Sequence, residues 1–131
     1  MFDVTQVGSW SRSERLLRAL DDRRRGNATR AQFDRVADDE VRRCVASQIE
    51  AGVDIVVDGE QRRDSFISFV TEKVDGTKLM SLEETADDKK GFDEMLKAAD
   101  VKPGTIRNPV CVGKLSRRDP LAVDELKFVR S

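Results

Sequence analysis

The sequence predicts an α/β fold in which parallel strands alternate with helices. The near-continuous apolar run VDIVVD at residues 53–58 has the length and composition of a strand that helices cover on both faces. Directly before it, apolar residues recur at helical spacing between Phe33 and Ile49, which indicates a long helix with one buried stripe. Strand and helix patterns alternate along the rest of the chain, and this order favours βα units around a parallel sheet.

The first half of the chain is predicted to contain two strands and two helices. Residues 4–7 are partly β-branched and are followed by Gly8, so they form the first predicted strand and end in a turn. The segments SRSE at 11–14 and TRAQ at 29–32 have the spacing of capping boxes, with the first residue of each as the N-cap. Gly52 ends the second helix just before the second strand.

The second half is predicted to contain one more strand and further helices. A weakly apolar helix is expected at 66–74, with a break at Gly76, and a third parallel strand is expected at 105–112. Residues 81–100 fit either an amphipathic helix or a mobile excursion, because charged residues dominate there. The Asp-Pro pair at 119–120 is typical of a helix N-cap and first turn, so it predicts a final helix.

Composition and charge argue against several classes of partner. Among 131 residues, 24 basic side chains nearly cancel 25 acidic ones and give a net charge of -1, so we expect no nucleic acid and no membrane partner. No stretch approaches the roughly 18 apolar residues of a membrane span, and the first residues lack a signal-peptide pattern. We therefore expect a cytoplasmic protein with a single domain.

Cysteine and histidine usage limits the chemistry that the chain offers. Cys44 and Cys111 are far apart in the sequence and have no paired spacing, so neither a disulfide framework nor a CxxC metal site is indicated. Both cysteines fall in apolar segments and are expected to be core residues. The chain contains no histidine, which is the commonest metal ligand and the commonest general base.

The segment DGEQRRD at 58–64 places charged side chains directly after a buried strand. In parallel sheets, binding residues collect beyond the C-terminal ends of the strands, because loops and helix N-termini meet there. We therefore expect Gly59 to permit a tight turn and Glu60 to reach a binding pocket. The alternative is a solvated cluster of ion pairs between Glu60 and the two arginines and the aspartate that follow, and the residues alone leave it open.

Three segments in chain order resemble the catalytic barrel of cobalamin-independent methionine synthase and its close relatives. They are VGSW at 7–10, GVDIVVDGEQRRDSF at 52–66 and RNPVCVGKL at 107–115. The resemblance implies a (β/α)₈ barrel that transfers a methyl group from a 5-methyltetrahydropteroyl polyglutamate to the sulfur of homocysteine. It also implies a zinc ion that binds this sulfur as a thiolate.

The resemblance assigns four residues to substrate binding. Val7, Gly8 and Ser9 match the loop that holds the backbone of the amino-acid substrate, and Glu60 matches the glutamate that contacts its ammonium group. The folate-contacting pair of the family falls near residues 104–105, where Gly and Thr replace its usual arginine and cysteine. That role is therefore not carried over, and no catalytic residue is assigned.

The zinc ligands of the family do not have counterparts in this sequence. The family uses a histidine, two cysteines and a glutamate from later strands, whereas this chain has no histidine and its third predicted strand is its last. Because a (β/α)₈ domain takes ~250 residues, residues 1–131 are expected to form one partial barrel. We expect such a chain to be truncated, to bind no catalytic zinc and to be inactive alone.

Two alternatives to a methionine synthase remain open. Related barrels decarboxylate porphyrins, as uroporphyrinogen decarboxylase does, or transfer alkyl groups to other thiols. A non-catalytic fragment that associates with itself is the second alternative, because a sheet of three strands leaves unpaired edges and an uncovered apolar face. We accordingly expect either self-association or pairing with a missing C-terminal half.

Overall fold

A computed structural model of the chain describes residues 2–65, 67–86, 89–100 and 107–131. Contacts between residues divide the chain into two units. The first unit consists of Met1–Phe66 with Ala122–Ser131, and the second consists of Ile67–Leu121.

Helix α1 of the first unit spans Glu14–Arg24. Its N-cap is Ser13, whose hydroxyl oxygen accepts the N–H of Leu16 at 3.1 Å. The predicted cap at Ser11 is wrong, because Ser13 also donates a 2.8 Å hydrogen bond to Glu40 of the following helix and thereby fixes where α1 begins. One serine hydroxyl therefore caps α1 and ties it to its neighbour.

Helix α2 spans Arg30–Glu50 and begins with the predicted capping box of Thr29 and Gln32. It ends at Ala51, next to Gly52, as the sequence indicated. Buried side chains of α1 and α2 pack into one apolar cluster, which consists of Leu16, Leu20, Phe33 and Ala37. Val41 and Cys44 of α2 are buried core residues as well. The prediction that Cys44 is a core residue is confirmed. Each large apolar side chain contributes roughly 1.5–3 kcal/mol on burial.

The predicted strands at 4–7 and 53–58 meet, but neither forms a regular strand. Thr5 and Ile55 make a single parallel bridge. Beside it, the carbonyl oxygen of Val4 accepts the N–H of Ile55 at 3.1 Å. The parallel direction of these two segments is as predicted, whereas their predicted strand lengths are wrong.

Side chains take the place of strand partners on both sides of this bridge. The carboxylate of Asp54 accepts the N–H of Val4 at 2.8 Å, which removes a backbone donor that a longer ladder would use. The amide of Gln48, on α2, pairs with both backbone groups of Val57: its Oε1 accepts the N–H at 3.0 Å, and its Nε2 donates to the carbonyl at 2.8 Å. These local contacts explain why the ladder stays short.

The second unit is built on an antiparallel pair of strands. Strand β1, Val74–Ser81, pairs with strand β2, Arg107–Arg117, so that Thr77 lies opposite Cys111. The third strand predicted at 105–112 is therefore wrong in direction and in partner, and its first two residues lie outside the described residues.

Gly76 explains why β1 was not predicted. It has a left-handed backbone with a φ of 78°, and the register of the strand pair shifts between Asp75 and Thr77. The glycine thus allows a bulge inside a strand and does not break a helix. In the described part of the helix predicted at 66–74, the structure has one 3₁₀ turn at Ser68–Glu72.

The apolar run of β2 is not buried as predicted. Cys111 is exposed, Val112 is 60% exposed and Leu115 is 56% exposed. The run VCV is only three residues long, and a run of this length does not separate a covered strand from one with an open face. The prediction that Cys111 is a core residue is therefore wrong.

Three short helices complete the described structure. Helices α3, Leu82–Thr85, and α4, Lys89–Ala98, occupy the charged region at 81–100, in agreement with the helical alternative. Helix α5, Val123–Val129, is the predicted final helix, but it begins after Ala122 and not at the Asp-Pro pair. Among the helices described, none is long and apolar enough to cross a membrane.

The helices of the first unit and the strand pair of the second unit together make the fold mixed α/β.

Candidate functional site

Two loops of the first unit meet where the sequence predicts a binding site. The first loop is residues 7–10 and the second loop is residues 58–64. The backbone N–H of Trp10 donates to the carbonyl oxygen of Gly59 at 3.0 Å. The buried amide of Gln61 donates to the carbonyl oxygens of Trp10 and Gly59 at 3.1 and 3.0 Å. The structure therefore joins the loop that contains Ser9 to the loop that contains Glu60.

Position 59 accepts only glycine without rearrangement of its neighbours. Gly59 has a φ of 65°, which L side chains rarely adopt. A Cβ atom there would lie 2.5 Å from the Sγ of Cys44 and 2.7 Å from the Cβ of Trp10. The tight turn predicted at Gly59 is thus packed directly against α2 and the first loop.

Glu60 has a left-handed backbone with a φ of 54°, which costs a residue with a Cβ about 1–2 kcal/mol. Its N–H donates to the Oδ1 of Asp58 at 3.0 Å. Its carbonyl oxygen accepts the Nη2 of Arg12 at 3.1 Å and the N–H of Arg63 at 3.1 Å. The Glu60 side chain is 24% exposed, and its carboxylate lies 3.9 Å from the Nη1 of Arg63. The carboxylate is therefore partly accessible to solvent and lies beside the guanidinium of Arg63.

The other charged residues of the second loop bind helices. The Arg62 side chain is only 14% exposed; it pairs with Asp38 at 2.5 Å and stacks over the ring of Phe128 at 4.3 Å. Arg42 lies over the same ring at 5.0 Å. Cation–π contacts of this kind contribute roughly 0.5–2 kcal/mol each. Arg62 therefore fixes α5 and α2 beside the loop.

Arg63 makes an ion pair with Glu125 of α5, and the two side chains are 16% and 14% exposed. The hydrogen bond with Glu125 raises the pKa of the Arg63 guanidinium further above its ordinary range. Asp64 accepts a 2.7 Å hydrogen bond from Arg24 at the end of α1. The alternative of a solvated ion cluster is therefore wrong for Arg62 and Arg63, since both are largely buried in contacts with helices.

The three remaining predicted site residues lie in the first loop and face solvent. Val7 is 93% exposed and Ser9 is exposed as well. Gly8 has a φ of 80°, and no atom of the described residues lies within 4 Å of where its Cβ would be. Its carbonyl oxygen accepts the side-chain amide of Gln6 at 2.8 Å. The loop therefore offers open backbone and a solvent-facing hydroxyl to a ligand.

Sequence reasoning missed a cavity of about 210 Å³ in the same unit. It lies beside residues 56–58 and α5, and its lining is mostly apolar: Val56, Val57, Asp58, Ala122, Glu125, Leu126 and Val129. The Oδ2 atom of Asp58 is buried, with no hydrogen-bond donor among the described residues. The Asp-Gly pair at 58–59, which is typical of turns, was the only sequence signal that pointed to a turn beside this cavity.

Sequence reasoning also missed Arg12, whose partners are the backbone carbonyl oxygens of Glu60 and Arg63, far along the chain.

The described residues do not fit a zinc site of the kind that the resemblance implies. Within residues 2–65, 67–86, 89–100 and 107–131, no group of three or more His, Cys, Asp or Glu side chains could hold a metal ion. Cys44 is buried, and its Sγ accepts the amide of Gln48 at 3.1 Å. Burial raises the pKa of the Cys44 thiol, which disfavours the thiolate that a metal needs.

Comparison with known families identifies the lineage of this chain. A sequence model described as cobalamin-independent synthase, catalytic domain, matches residues 2–131. The chain belongs to this family. The chain is 27% identical over 128 residues to a 5-methyltetrahydropteroyltriglutamate–homocysteine methyltransferase of Parvibaculum lavamentivorans, covering 98% of this chain and 15% of the relative. It is also 27% identical over 128 residues to a methionine synthase of Sulfolobus acidocaldarius, covering 98% of this chain and 33% of that protein.

A solved structure shows the same relationship. The B12-independent methionine synthase from Shewanella sp. W3-18-1, in complex with selenomethionine, superposes with a TM-score of 0.53 and 25% identity. The superposition covers 79% of this chain and 26% of that chain. This chain thus spans a third or less of the length of these relatives.

Proposed function

We propose that this chain supplies the amino-acid-binding part of an active site that methylates the sulfur of homocysteine. The proposed methyl donor is a 5-methyltetrahydropteroyl polyglutamate. The family supports this proposal, and so do the names of the relatives, which describe methionine synthases and homocysteine methyltransferases. The observation that carries the proposal is the hydrogen-bonded junction of the two loops, with the Glu60 carboxylate accessible beside it.

The two loops have the chemistry to bind the two charged ends of an α-amino acid. In this proposal, the open backbone of Val7 and Gly8 and the hydroxyl of Ser9 bind the carboxylate of the substrate. Glu60 binds its ammonium group, since a hydrogen bond between an ammonium and a carboxylate is roughly twice as strong as a neutral one. Arg63, at 3.9 Å, is the cation that the substrate ammonium would join or replace at Glu60.

The fold supports the start of a (β/α)₈ barrel as the frame for this site. The parallel bridge between Thr5 and Ile55 would be the pairing of the first two barrel strands, and α5 would follow the second strand. The two loops then lie at the C-terminal ends of adjacent strands, where barrel enzymes bind their substrates. The partial barrel domain at 1–131 and the cytoplasmic location stay predictions.

Zinc has no place in the steps that we assign to this chain, because its described residues do not fit the ion. We accordingly assign these residues to substrate binding, and neither to activation of the thiol nor to transfer of the methyl group. We expect the chain alone to bind an amino acid and not to turn over methyl groups.

Ligand titration of the 131-residue chain by calorimetry tests the proposal. L-methionine and L-homocysteine are compared with 4-(methylthio)butyrate and 4-mercaptobutyrate, which lack the ammonium group. We expect the amino acids to bind at least about tenfold more tightly, which corresponds to about 1.4 kcal/mol. Glu60→Gln should abolish this preference, because it keeps the shape of the side chain and removes its charge.

Glu14→Gln is the matched control, since Glu14 is an exposed glutamate of α1 that pairs with Arg18 in the next turn. It should keep the preference for the amino acids. Equal affinity of the wild-type chain for both kinds of ligand, or a preference that survives Glu60→Gln, would refute the assignment. Growth of a methionine auxotroph on the complete gene, with and without Glu60→Gln, tests the same residue in the cell.

A further inference from the structure

We propose that Arg12 and Asp58 are positioning residues that hold Glu60 in its left-handed backbone conformation. The inference rests on the proposed function, in which Glu60 binds the ammonium group of the substrate. Neither residue was expected from the sequence to take part in the site. Both act on the backbone of Glu60 and leave its carboxylate to the ligand.

The backbone of Glu60 needs external support because glutamate does not favour a positive φ. The other described residue besides glycine with a positive φ is Asp100, at 52°. Asp100 directly follows the last turn of α4, where its N–H donates to Lys97, and aspartate tolerates this conformation at a helix end. Glu60 has no helix before it, so side-chain contacts from Asp58 and Arg12 must hold its conformation.

Two side chains supply these contacts, one on each peptide group that flanks the Glu60 Cα. Asp58 accepts the N–H of Glu60 through Oδ1 at 3.0 Å. Arg12 donates through Nη2 to the carbonyl oxygen of Glu60 at 3.1 Å and to that of Arg63 at 2.9 Å. The N–H of Arg63 closes the turn on the same Glu60 carbonyl at 3.1 Å. The guanidinium thus joins both ends of the turn.

The position of Arg12 in the sequence links its contact with Glu60 to the first loop. Arg12 lies three residues after Ser9, so the same short segment carries the proposed carboxylate-binding loop and the support of Glu60. The Nε of Arg12 is buried and has no acceptor among the described residues. Its Nη2 donates to the carbonyl oxygens of Glu60 and Arg63, which are both in the second loop. The positive charge of Arg12 is therefore directed at carbonyl oxygens. In this inference, Arg12 adds to the backbone and Gln61 contacts that set the spacing between the two binding groups.

The experiment measures the conformation of residue 60 and the ligand preference in the same proteins. A positive φ brings the amide and α protons of one residue close together, so wild-type Glu60 should give a strong intraresidue HN–Hα NOE. Arg12→Met removes the donors and keeps the length of the side chain. We expect this variant to lose the strong NOE and to lower the affinity ratio of L-methionine to 4-(methylthio)butyrate about tenfold.

Arg15→Met is the matched control, because Arg15 is an exposed arginine of α1 that pairs with Asp39. It should keep both the NOE and the affinity ratio. Asp58→Asn retains a neutral acceptor and should cause a smaller change in the same direction as Arg12→Met. In a Glu60→Gln background, Arg12→Met should have no further effect on the ratio, because both changes remove the same interaction.

The outcomes separate the positioning role from the proposed function. An Arg12→Met variant that keeps the strong NOE at residue 60 overturns the positioning role, whatever the ligand data show. Loss of the NOE in a protein whose wild type has no preference for the ammonium group supports the positioning role and refutes the proposed function. If Arg12→Met does not fold, Arg12→Lys replaces it: retention of NOE and ratio overturns the inference, and loss of both supports it.

Discussion

The thiol of Cys44 occupies the space that any side chain at position 59 would need. A Cβ on Gly59 would lie 2.5 Å from the Sγ of this cysteine, well inside van der Waals contact. Helix α2 therefore packs directly against the loop that contains Glu60. The shape of the candidate site depends on the fit between this one buried thiol and a glycine.

Gly59→Ala should destabilise the chain more than Gly52→Ala. Both glycines have a positive φ, of 65° and 75°, so both substitutions incur about 1–2 kcal/mol of backbone strain. Only position 59 adds a clash with Cys44 and Trp10, which costs about 1–3 kcal/mol more. Urea denaturation measures the difference. Equal losses for the two variants would show that the packing at Gly59 relaxes freely.

The two cysteines should differ strongly in reactivity toward a disulfide reagent such as DTNB. Burial, together with the charge of Asp58, raises the pKa of the Cys44 thiol above its ordinary value of 9.0, although the hydrogen bond from Gln48 opposes this. Cys111 is exposed. Since the thiolate is the reactive species, we expect one fast thiol in the native chain and two in denaturant. Cys111→Ser should remove the fast reaction, and a fast phase that persists would contradict the burial of Cys44.

Stability should fall in acid partly through Glu40. Burial raises the pKa of its carboxyl, but the hydrogen bond from Ser13 and the contacts of Arg43 lower it more, and the net pKa lies below the ordinary 4.5. An acid with a lowered folded-state pKa stabilises the fold above its unfolded pKa, and the contribution is lost as pH falls through the folded pKa.

Glu40→Gln should therefore reduce the free energy of unfolding at pH 7 and have little effect below the folded-state pKa. Urea titrations between pH 7 and pH 3 measure this dependence. Glu50→Gln is the control, because Glu50 is an exposed residue at the end of the same helix. A destabilisation by Glu40→Gln that is constant over this range would show that shape, and not charge, makes position 40 important.

Removal of the Glu125 charge should loosen α5 and disturb Glu60. Glu125→Gln removes the ion-pair partner of the mostly buried Arg63, whose guanidinium also lies 3.9 Å from the Glu60 carboxylate. Breaking a largely buried ion pair costs about 3 kcal/mol. We expect a lower melting temperature and weaker binding of L-methionine, because Arg63 then competes for Glu60. Lys127→Gln, an exposed change on the same helix, should alter neither quantity. Full binding by Glu125→Gln would exclude this competition.

We also propose that the chain associates with itself, as the sequence led us to expect. Phe2 is 96% exposed, Val4 is 56% exposed and Ile55, whose N–H donates to the carbonyl oxygen of Val4, is 52% exposed. Exposed apolar surface favours contacts between molecules. Light scattering should show a mass above that of one chain, and Phe2→Ser with Val4→Thr should lower it. A monomer at all concentrations would remove this proposal.

Helices α1 and α2 were predictable from the sequence because their signals are local, whereas the described part of the helix predicted at 66–74 was wrong in all but one 3₁₀ turn. The capping box at Thr29 and the apolar stripe of α2 lie within the helix itself. The strands were less predictable, because their partners are distant or are side chains. Gly76 was interpreted as a break, yet it allows a close crossing: a Cβ there would lie 2.3 Å from the carbonyl oxygen of Lys114. No pattern near residue 76 indicates that contact.

The candidate site was predictable in part. The strand-to-loop pattern and the family resemblance pointed to Glu60, and the structure joins its loop to the first loop. Arg12 could not be found in this way, because it binds carbonyl oxygens that every residue possesses, 48 and 51 positions away. The partners of Arg62 and Arg63 were not predictable for a similar reason, since they lie far along the chain on α2 and α5.

The side-chain amide of Gln48 also determines which way the side chains point in the segment that leads into the second loop. One acceptor and one donor on a single side chain match the N–H and the carbonyl of one residue, Val57. A slip of the segment by one position would present Val56 or Asp58 to the amide and would turn every side chain to the opposite face. Asp58 could then no longer accept the N–H of Glu60. A side chain in the last turn of α2 thus fixes which residues of this segment face the second loop.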